Sequence, residues 1–281
     1  MQLNPSVIEA LLRLTRTANV FILISAQYAA AYFLLHKAIF TDWKLFLFSL
    51  ASACIAAGGY VINDYYDVKI DLINNPNRVV IGRSVPRRVA IMLHALLSGA
   101  GIFIGFFLGW RIFIINVFAV FLLWFYSNTL KRLPFTGNLA VAVLTGLAVA
   151  SLNALYQSHD ALVYIYSLFA FFITLIREII KDMEDLKGDD TFGCKTLPII
   201  WGIRKTKGLI ILLTIAFACF VTFTNFFYQK LPFIYLIMLL LIPLAWLIIR
   251  LISADTKKDF GWLSSFCKVI ILLGILSMAV V

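Results

Sequence analysis

Apolar residues in this chain fall in long, nearly unbroken runs separated by short polar stretches, not at the alternating or three-to-four-residue spacing of half-buried elements. A helix needs about 20 apolar residues to cross the hydrocarbon core of a bilayer. Runs of that order lie near residues 18–36, 45–62, 89–109, 112–130, 137–157, 162–180, 208–228, 231–250 and 264–281. They predict an all-α, polytopic membrane protein with about nine transmembrane helices, forming a single transmembrane domain over 1–281. The count falls to eight if the very short turn at Trp110 and Arg111 is read as continuous. Residues 1–17 are interrupted by polar positions and show no small-residue cleavage site, so the first helix is expected to stay in the mature protein.

Composition agrees with lipid as the solvent: 62% of residues are hydrophobic and 14% charged, against about 25% charged in an average soluble domain. A formal charge of +10 would raise nucleic acid as a partner for a soluble protein, but here its distribution decides. With the N-terminus cytoplasmic, nineteen Lys and Arg residues fall inside and only Lys37, Lys44, Arg111 and Lys230 fall outside, with Lys268 at the start of the last span. The positive-inside rule therefore predicts a multi-pass protein of the cell's inner membrane, N-terminus inside, with membrane lipid and not nucleic acid as its surroundings. Two long cytoplasmic loops are expected, 63–88 and 178–207.

Nine of the 14 acidic residues sit in or beside those loops. The first cluster continues directly from the apolar run ending at Ile62. If the helix carries on, Asn63, Asp67 and Asp71 stand at i, i+4 and i+8, with Asp64 at i+3 and i+7 spacing to Asp67 and Asp71. In the second cluster, Glu178, Asp182, Asp185 and Asp189 follow i, i+4, i+7 and i+11, while Glu184 points elsewhere and Gly188 is expected to end or loosen the helix. Like charges stacked on one helical face repel each other, so both rows imply a cation that the sequence does not supply. Mg²⁺ takes oxygen ligands and is commonly held by one or two carboxylates together with substrate phosphates. Two facing carboxylate rows would clamp a diphosphate through such metals, with Arg78, Arg83, Lys131, Arg177, Lys181 and Lys195 available to complete the anion site. The bland reading of either cluster is a solvated helix end neutralised by neighbouring cations; two clusters equivalently placed on one side of the membrane argue against it.

Other features need no chemistry. Cys54, Cys194, Cys219 and Cys267 are scattered without metal-ligand spacing and read as small apolar residues. Gly101, Gly105 and Gly109, like Ala142, Gly146, Ala150 and Ala154, recur at four-residue spacing that lets helices approach closely. Asn116, Asn138, Asn153 and Gln157 are expected to bond across helices more than to face a cavity, and His94 to be a packing residue.

The residues running from Asn63 to Asp71 and from Asp182 to Asp189 resemble the two signatures of the UbiA superfamily of intramembrane prenyltransferases. Asn77-Arg78, Gly82-Arg83, Tyr126-Ser127, Leu130-Lys131-Arg132 and Lys195-Thr196-Leu197-Pro198 are similar to family positions along most of the chain. The stretch from Arg177 to Asp185 most resembles the branch that transfers a geranylgeranyl group to geranylgeranylglyceryl phosphate. In the first loop, Val79-Val80-Ile81 stands where family members often carry Pro-Leu-Pro-Ser, and Arg16-Thr17-Ala18-Asn19 lacks a frequent proline.

The resemblance implies nine helices around a central cavity and Mg²⁺-assisted loss of diphosphate from a polyprenyl diphosphate, followed by capture of the allylic cation by an acceptor. It implies a metal shell of Asn63, Asp64, Asp67, Asp71, Asp182, Asp185 and Asp189, with Asp64, Asp67, Asp182 and Asp185 essential to catalysis. Arg16 and Asn19 become candidates for acceptor or diphosphate contact, and Tyr65, Tyr66 or Tyr126 for stabilising the cation through a ring face. A lipid phosphate is the favoured acceptor and an aromatic quinone precursor such as 4-hydroxybenzoate the alternative. A cation-coupled transporter is the competing class, although transport sites favour interrupted helices at the bilayer midplane.

Overall fold

The computed structural model describes residues 7–228 and 232–281, so that Lys230 and the first position of the 231–250 run lie outside the described residues, as does the side chain of Arg78. Nine helices among them are long and apolar enough to cross a bilayer: α2 (Thr17–Leu34), α3 (Trp43–Asn74), α4 (Arg87–Leu108), α5 (Trp110–Asn128), α6 (Thr136–Tyr156), α7 (Ala161–Thr191), α8 (Leu197–Tyr228), α9 (Phe233–Ile252) and α10 (Lys257–Val280). A short α1 (Val7–Leu14) precedes them. The eight-helix alternative fails at Gly109, which turns the chain between α4 and α5 at φ 122°, a conformation other residues rarely adopt. Gly109 is thus a corner and not, as its spacing with Gly101 and Gly105 suggested, a close-packing position. Gly101 does pack against α3, at Ile55 and Ala51.

The two helices that carry the acidic clusters are much longer than their apolar runs. α3 has 32 residues and α7 has 31, or about 48 and 46 Å at 1.5 Å per residue, against a hydrocarbon core of about 30 Å. Their surplus turns replace nearly half of the expected loops 63–88 and 178–207, and the starts of α4 and α8 take 87–88 and 197–207. What remains as connection is 75–86, with a short 3₁₀ turn at Pro76–Arg78, and 192–196. Gly188 does not end α7, which runs on to Thr191. Each long helix starts, at the end opposite its acidic cluster, on an aspartate cap. Asp42 accepts from the Lys44 and Leu45 N–H groups at 2.9 and 3.1 Å, and Asp160 from those of Leu162 and Val163 at 2.8 and 3.2 Å. These bonds satisfy first-turn donors that have no partner within the helix.

Two other starts also precede the apolar runs. α8 begins at Leu197 and is interrupted at Gly202, where φ is 76°. α10 begins at Lys257, seven residues before its run, because Thr256 and Asp259 close a capping box. Around α7 the largest buried cluster gathers Ile173, Ile176, Ile180, Phe217, Leu247 and Phe260 from four helices. Phe103, Phe106, Phe107 and Phe226 are exposed on the outside, as side chains facing lipid tails would be. Of the in-span amides, Asn116 bonds to the Gly101 carbonyl at 2.9 Å, Asn153 to the Asp160 carbonyl at 3.0 Å, and His94 meets the Gly58 carbonyl at 2.9 Å.

Candidate active site

The surplus turns of α3 and α7 face each other across a polar cavity of about 680 Å³, measured to its open mouth. Helical periodicity selects which side chains reach it. From α3 come Asn63, Asp67, Ile70, Asp71 and Asn74; from α7 come Glu178, Lys181, Asp182, Asp185 and Asp189. Glu184 is not among them. The walls are closed by Tyr126 of α5, Lys131 and Leu133 of the α5–α6 connection, Gly137 and Asn138 of α6, Arg16 ahead of α2, and Cys194. The helical continuation that the spacing argument required is present on both rows, and the spacing selects the lining residues except at Asp64.

The cations are disposed unequally. Lys131 is ion-paired with Asp67, and its ammonium lies 5.9 Å over the Tyr66 ring. Burial lowers the Lys131 pKa from its ordinary value and Asp67 only partly restores it. Arg16 sits between α1 and α2 in the left-handed region, at φ 48° and ψ 53°, an uncommon conformation outside glycine. Its guanidinium reaches Asp64 at 2.7 Å and lies 4.9 Å over the Tyr60 ring. Burial opposes that charge, but Asp64, Tyr60 and Asp71 together more than offset it, so the Arg16 pKa is raised. Asp64 is one position off the face of Asn63, Asp67 and Asp71, and it meets Arg16 instead of lining the cavity. Lys181 lines the cavity, and among the described residues it makes no ion pair within 4.0 Å.

Several expected site residues stand elsewhere. Asn19 and Tyr66 do not line the cavity. Arg83 donates to the Pro76 carbonyl at 2.9 Å, holding its own loop together. Arg177 turns to Glu178, and the Lys195 N–H donates to the Arg132 carbonyl at 2.8 Å. Arg78 contributes only backbone to the described structure. Conversely, three lining residues carried no signal assigned to the site. Asn138, expected to bond between helices, does so by donating to Asp182 Oδ2 at 2.9 Å from inside the cavity wall. Asn74 and Cys194 were not singled out for it; burial raises the Cys194 thiol pKa. Asn138 falls at a helix start preceding an apolar run, where sequence gives no hint of which neighbour it will meet.

The donor set suits a hard cation. Asn63 Oδ1 and Asp185 Oδ1 are buried oxygens with no hydrogen-bond partner among the described residues, one on each facing helix, and unsatisfied buried oxygens are costly unless something else binds them. No group of three or more His, Cys, Asp or Glu side chains among the described residues forms a ready-made cage. That fits Mg²⁺, which retains waters and completes its shell with substrate phosphates.

Comparison with known proteins agrees with this geometry. The model of the UbiA prenyltransferase family matches residues 23–270. The chain is 32% identical over 240 residues to the digeranylgeranylglyceryl phosphate synthase of Methanosphaera stadtmanae, an alignment covering 85% of this chain and 88% of that one. A solved structure concerned with digeranylgeranylglyceryl phosphate synthase in membranes shares its fold at a TM-score of 0.73, with 24% identity over 98% of both chains. A UbiA homologue from Archaeoglobus fulgidus, bound to GPP and Mg²⁺, does so at 0.63, with 15% identity over 96% of this chain and 100% of that one. With a family match spanning most of its length and a relative aligned over most of both chains, this multi-pass membrane protein is a prenyltransferase and belongs to the UbiA prenyltransferase family.

Proposed function

We propose that the protein transfers a geranylgeranyl group from its diphosphate to the free hydroxyl of geranylgeranylglyceryl phosphate, with Mg²⁺ held between the two carboxylate rows. The observation that carries this reading is the pair of unpartnered buried oxygens, Asn63 Oδ1 and Asp185 Oδ1, on opposite walls of one cavity. Asn63, Asp67 and Asp71 would hold metal from α3, and Asp182, Asp185 and Asp189 from α7. Bound there, Mg²⁺ supplies charge neutralisation for the departing diphosphate. Lys131 and Arg16 grip diphosphate oxygens, Arg16 in the forked geometry that suits them. The donor's C1–O bond breaks, the acceptor oxygen bonds to C1, and the hydroxyl proton passes to solvent. Tyr126, in the same wall, offers a ring face to the allylic cation.

Two further points support the reading. Lys181 lines the cavity without an ion-pair partner within 4.0 Å among the described residues, which favours an acceptor that is itself anionic. The excess of Lys and Arg at this end favours a cytoplasmic cavity mouth and N-terminus. The test is lipid mass spectrometry after incubating the purified protein with labelled geranylgeranyl diphosphate, Mg²⁺ and a panel of acceptors. A product with a new ether bond is expected; prenylation of an aromatic ring alone, as with 4-hydroxybenzoate, would sink the acceptor assignment. Asp67→Ala and Asp182→Ala should each abolish turnover while leaving membrane insertion intact.

A further inference from the structure

Asn74, the last residue of α3, reaches into the backbone of α7. Its Nδ2 donates to the Asp185 carbonyl at 3.0 Å, and its Oδ1 accepts from the Gly188 N–H at 2.9 Å. Both α7 groups belong to a helix interior, where backbone partners are ordinarily intrahelical. The approach is possible only because residue 188 has no side chain: a Cβ there would stand 2.6 Å from both Asn74 Cγ and Oδ1. Gly188 is therefore retained inside a helix, where glycine is unfavourable, for close contact with Asn74. On its other side, the Asn74 carbonyl, one of the orphan acceptors at the end of α3, accepts from the Lys257 ammonium at the start of α10. Asn74 is buried, and three helices meet on it.

The location gives this junction a consequence for the site. On α3, Asp71 lies three residues before Asn74. On α7, the two bonded backbone groups lie at and between Asp185 and Asp189. We infer that Asn74 is a positioning residue whose carboxamide, seated on Gly188, sets the separation of the two carboxylate rows. The inference rests on those rows being the Mg²⁺ site. It concerns no ligand of the metal directly; Asn74 acts through the placement of Asp71, Asp185 and Asp189.

The test follows Mn²⁺ binding by electron paramagnetic resonance, with inorganic pyrophosphate present, alongside Mg²⁺-dependent prenyl transfer, in the full-length protein. Asn74→Leu keeps the number and branching of side-chain heavy atoms and removes both bonds. It is expected to raise the metal concentration for half-saturation about tenfold or more, the range typical when a supporting residue of a metal site is lost. Excess Mg²⁺ should recover transfer, a response that a simple loss of stability would not show. Gly188→Ala should reproduce the defect. The double variant Asn74→Ala/Gly188→Ala should be no worse than Gly188→Ala alone, because the shortened residue 74 vacates the space that the new methyl group needs. Strictly additive losses, an unchanged half-saturation in folded Asn74→Leu, or absence of Mn²⁺ binding by the unaltered protein would each overturn the inference. An unaltered protein that binds Mn²⁺ and pyrophosphate but transfers no prenyl group would instead sink the functional reading, with the metal titrations still deciding the role of Asn74.

Discussion

The acidic face of α3 and that of α7 look alike in sequence and are treated differently by the fold. On α3, Asp64 and Asp67 each hold a cation from another part of the chain, Arg16 and Lys131. On α7, Asp182, Asp185 and Asp189 hold none within 4.0 Å among the described residues. Asp182 instead receives an amide from Asn138, and one oxygen of Asp185 has no partner. Burying a carboxylate without compensation is expensive, so the α7 row is the wall that most needs an external cation. The α3 row, by contrast, uses its charge to hold basic groups at the cavity. On the proposed function, metal demand would fall chiefly on α7 and diphosphate grip chiefly on the cations that α3 recruits.

The largest effect should come from α7. Asp185→Asn is expected to lower kcat/KM by at least about a hundredfold, the scale of losing one preorganised electrostatic contact to a transition state. Chelating Mg²⁺ with EDTA should abolish turnover in the unaltered protein. If Asp185→Asn were milder than Asp64→Asn, the proposed division of labour would be reversed. Next, Lys131→Ala should raise the KM for donor diphosphate by about thirtyfold, the lower half of the range for unpairing a buried charge, without changing that for the acceptor. A rise in the acceptor KM alone would move Lys131 to the other substrate.

Smaller effects sharpen the same contrast. Arg16→Gln and Asp64→Asn should not be additive: the double variant should resemble Arg16→Gln, with a coupling of about 1–2 kcal/mol measured in a double-mutant cycle. Independent losses would mean that Asp64 has a role of its own at the cavity. Asn138→Ala removes one hydrogen bond to a carboxylate, worth about 1.5 kcal/mol, and should lower kcat/KM about tenfold. An effect much larger than this would make Asn138 a direct substrate or metal contact.

Legibility in the sequence followed the range of the interaction involved. That α3 and α7 outrun their apolar stretches was readable from the acidic period of three to four continuing past Ile62 and past Ile180, although length alone had suggested loops. The α10 start was equally readable in Thr256 and Asp259, whose capping box is a three-residue pattern. Arg83, Arg177 and Lys195 were counted as anion ligands because they are cationic and nearby. The guanidinium groups of Arg83 and Arg177 are each taken up by a neighbour in the fold, Lys195 does not line the cavity, and that competition and placement are invisible in a string of charges. Asn138 was legible as an amide that bonds across helices but not as a partner of Asp182, and Asn74 gave no signal, because an amide's role depends on what lies opposite it.

The sequence by itself determined the nine spans and the two one-faced carboxylate rows. Both follow from the length of apolar runs and the helical repeat, which are properties of a single segment. Only the tertiary structure decided which cation meets which carboxylate, that α3 and α7 meet at Asn74 and Gly188, and that two buried oxygens of cavity-lining residues are left without partners among the described residues. Those facts depend on the separation and rotation of packed helices, to which residues far apart in the chain contribute together.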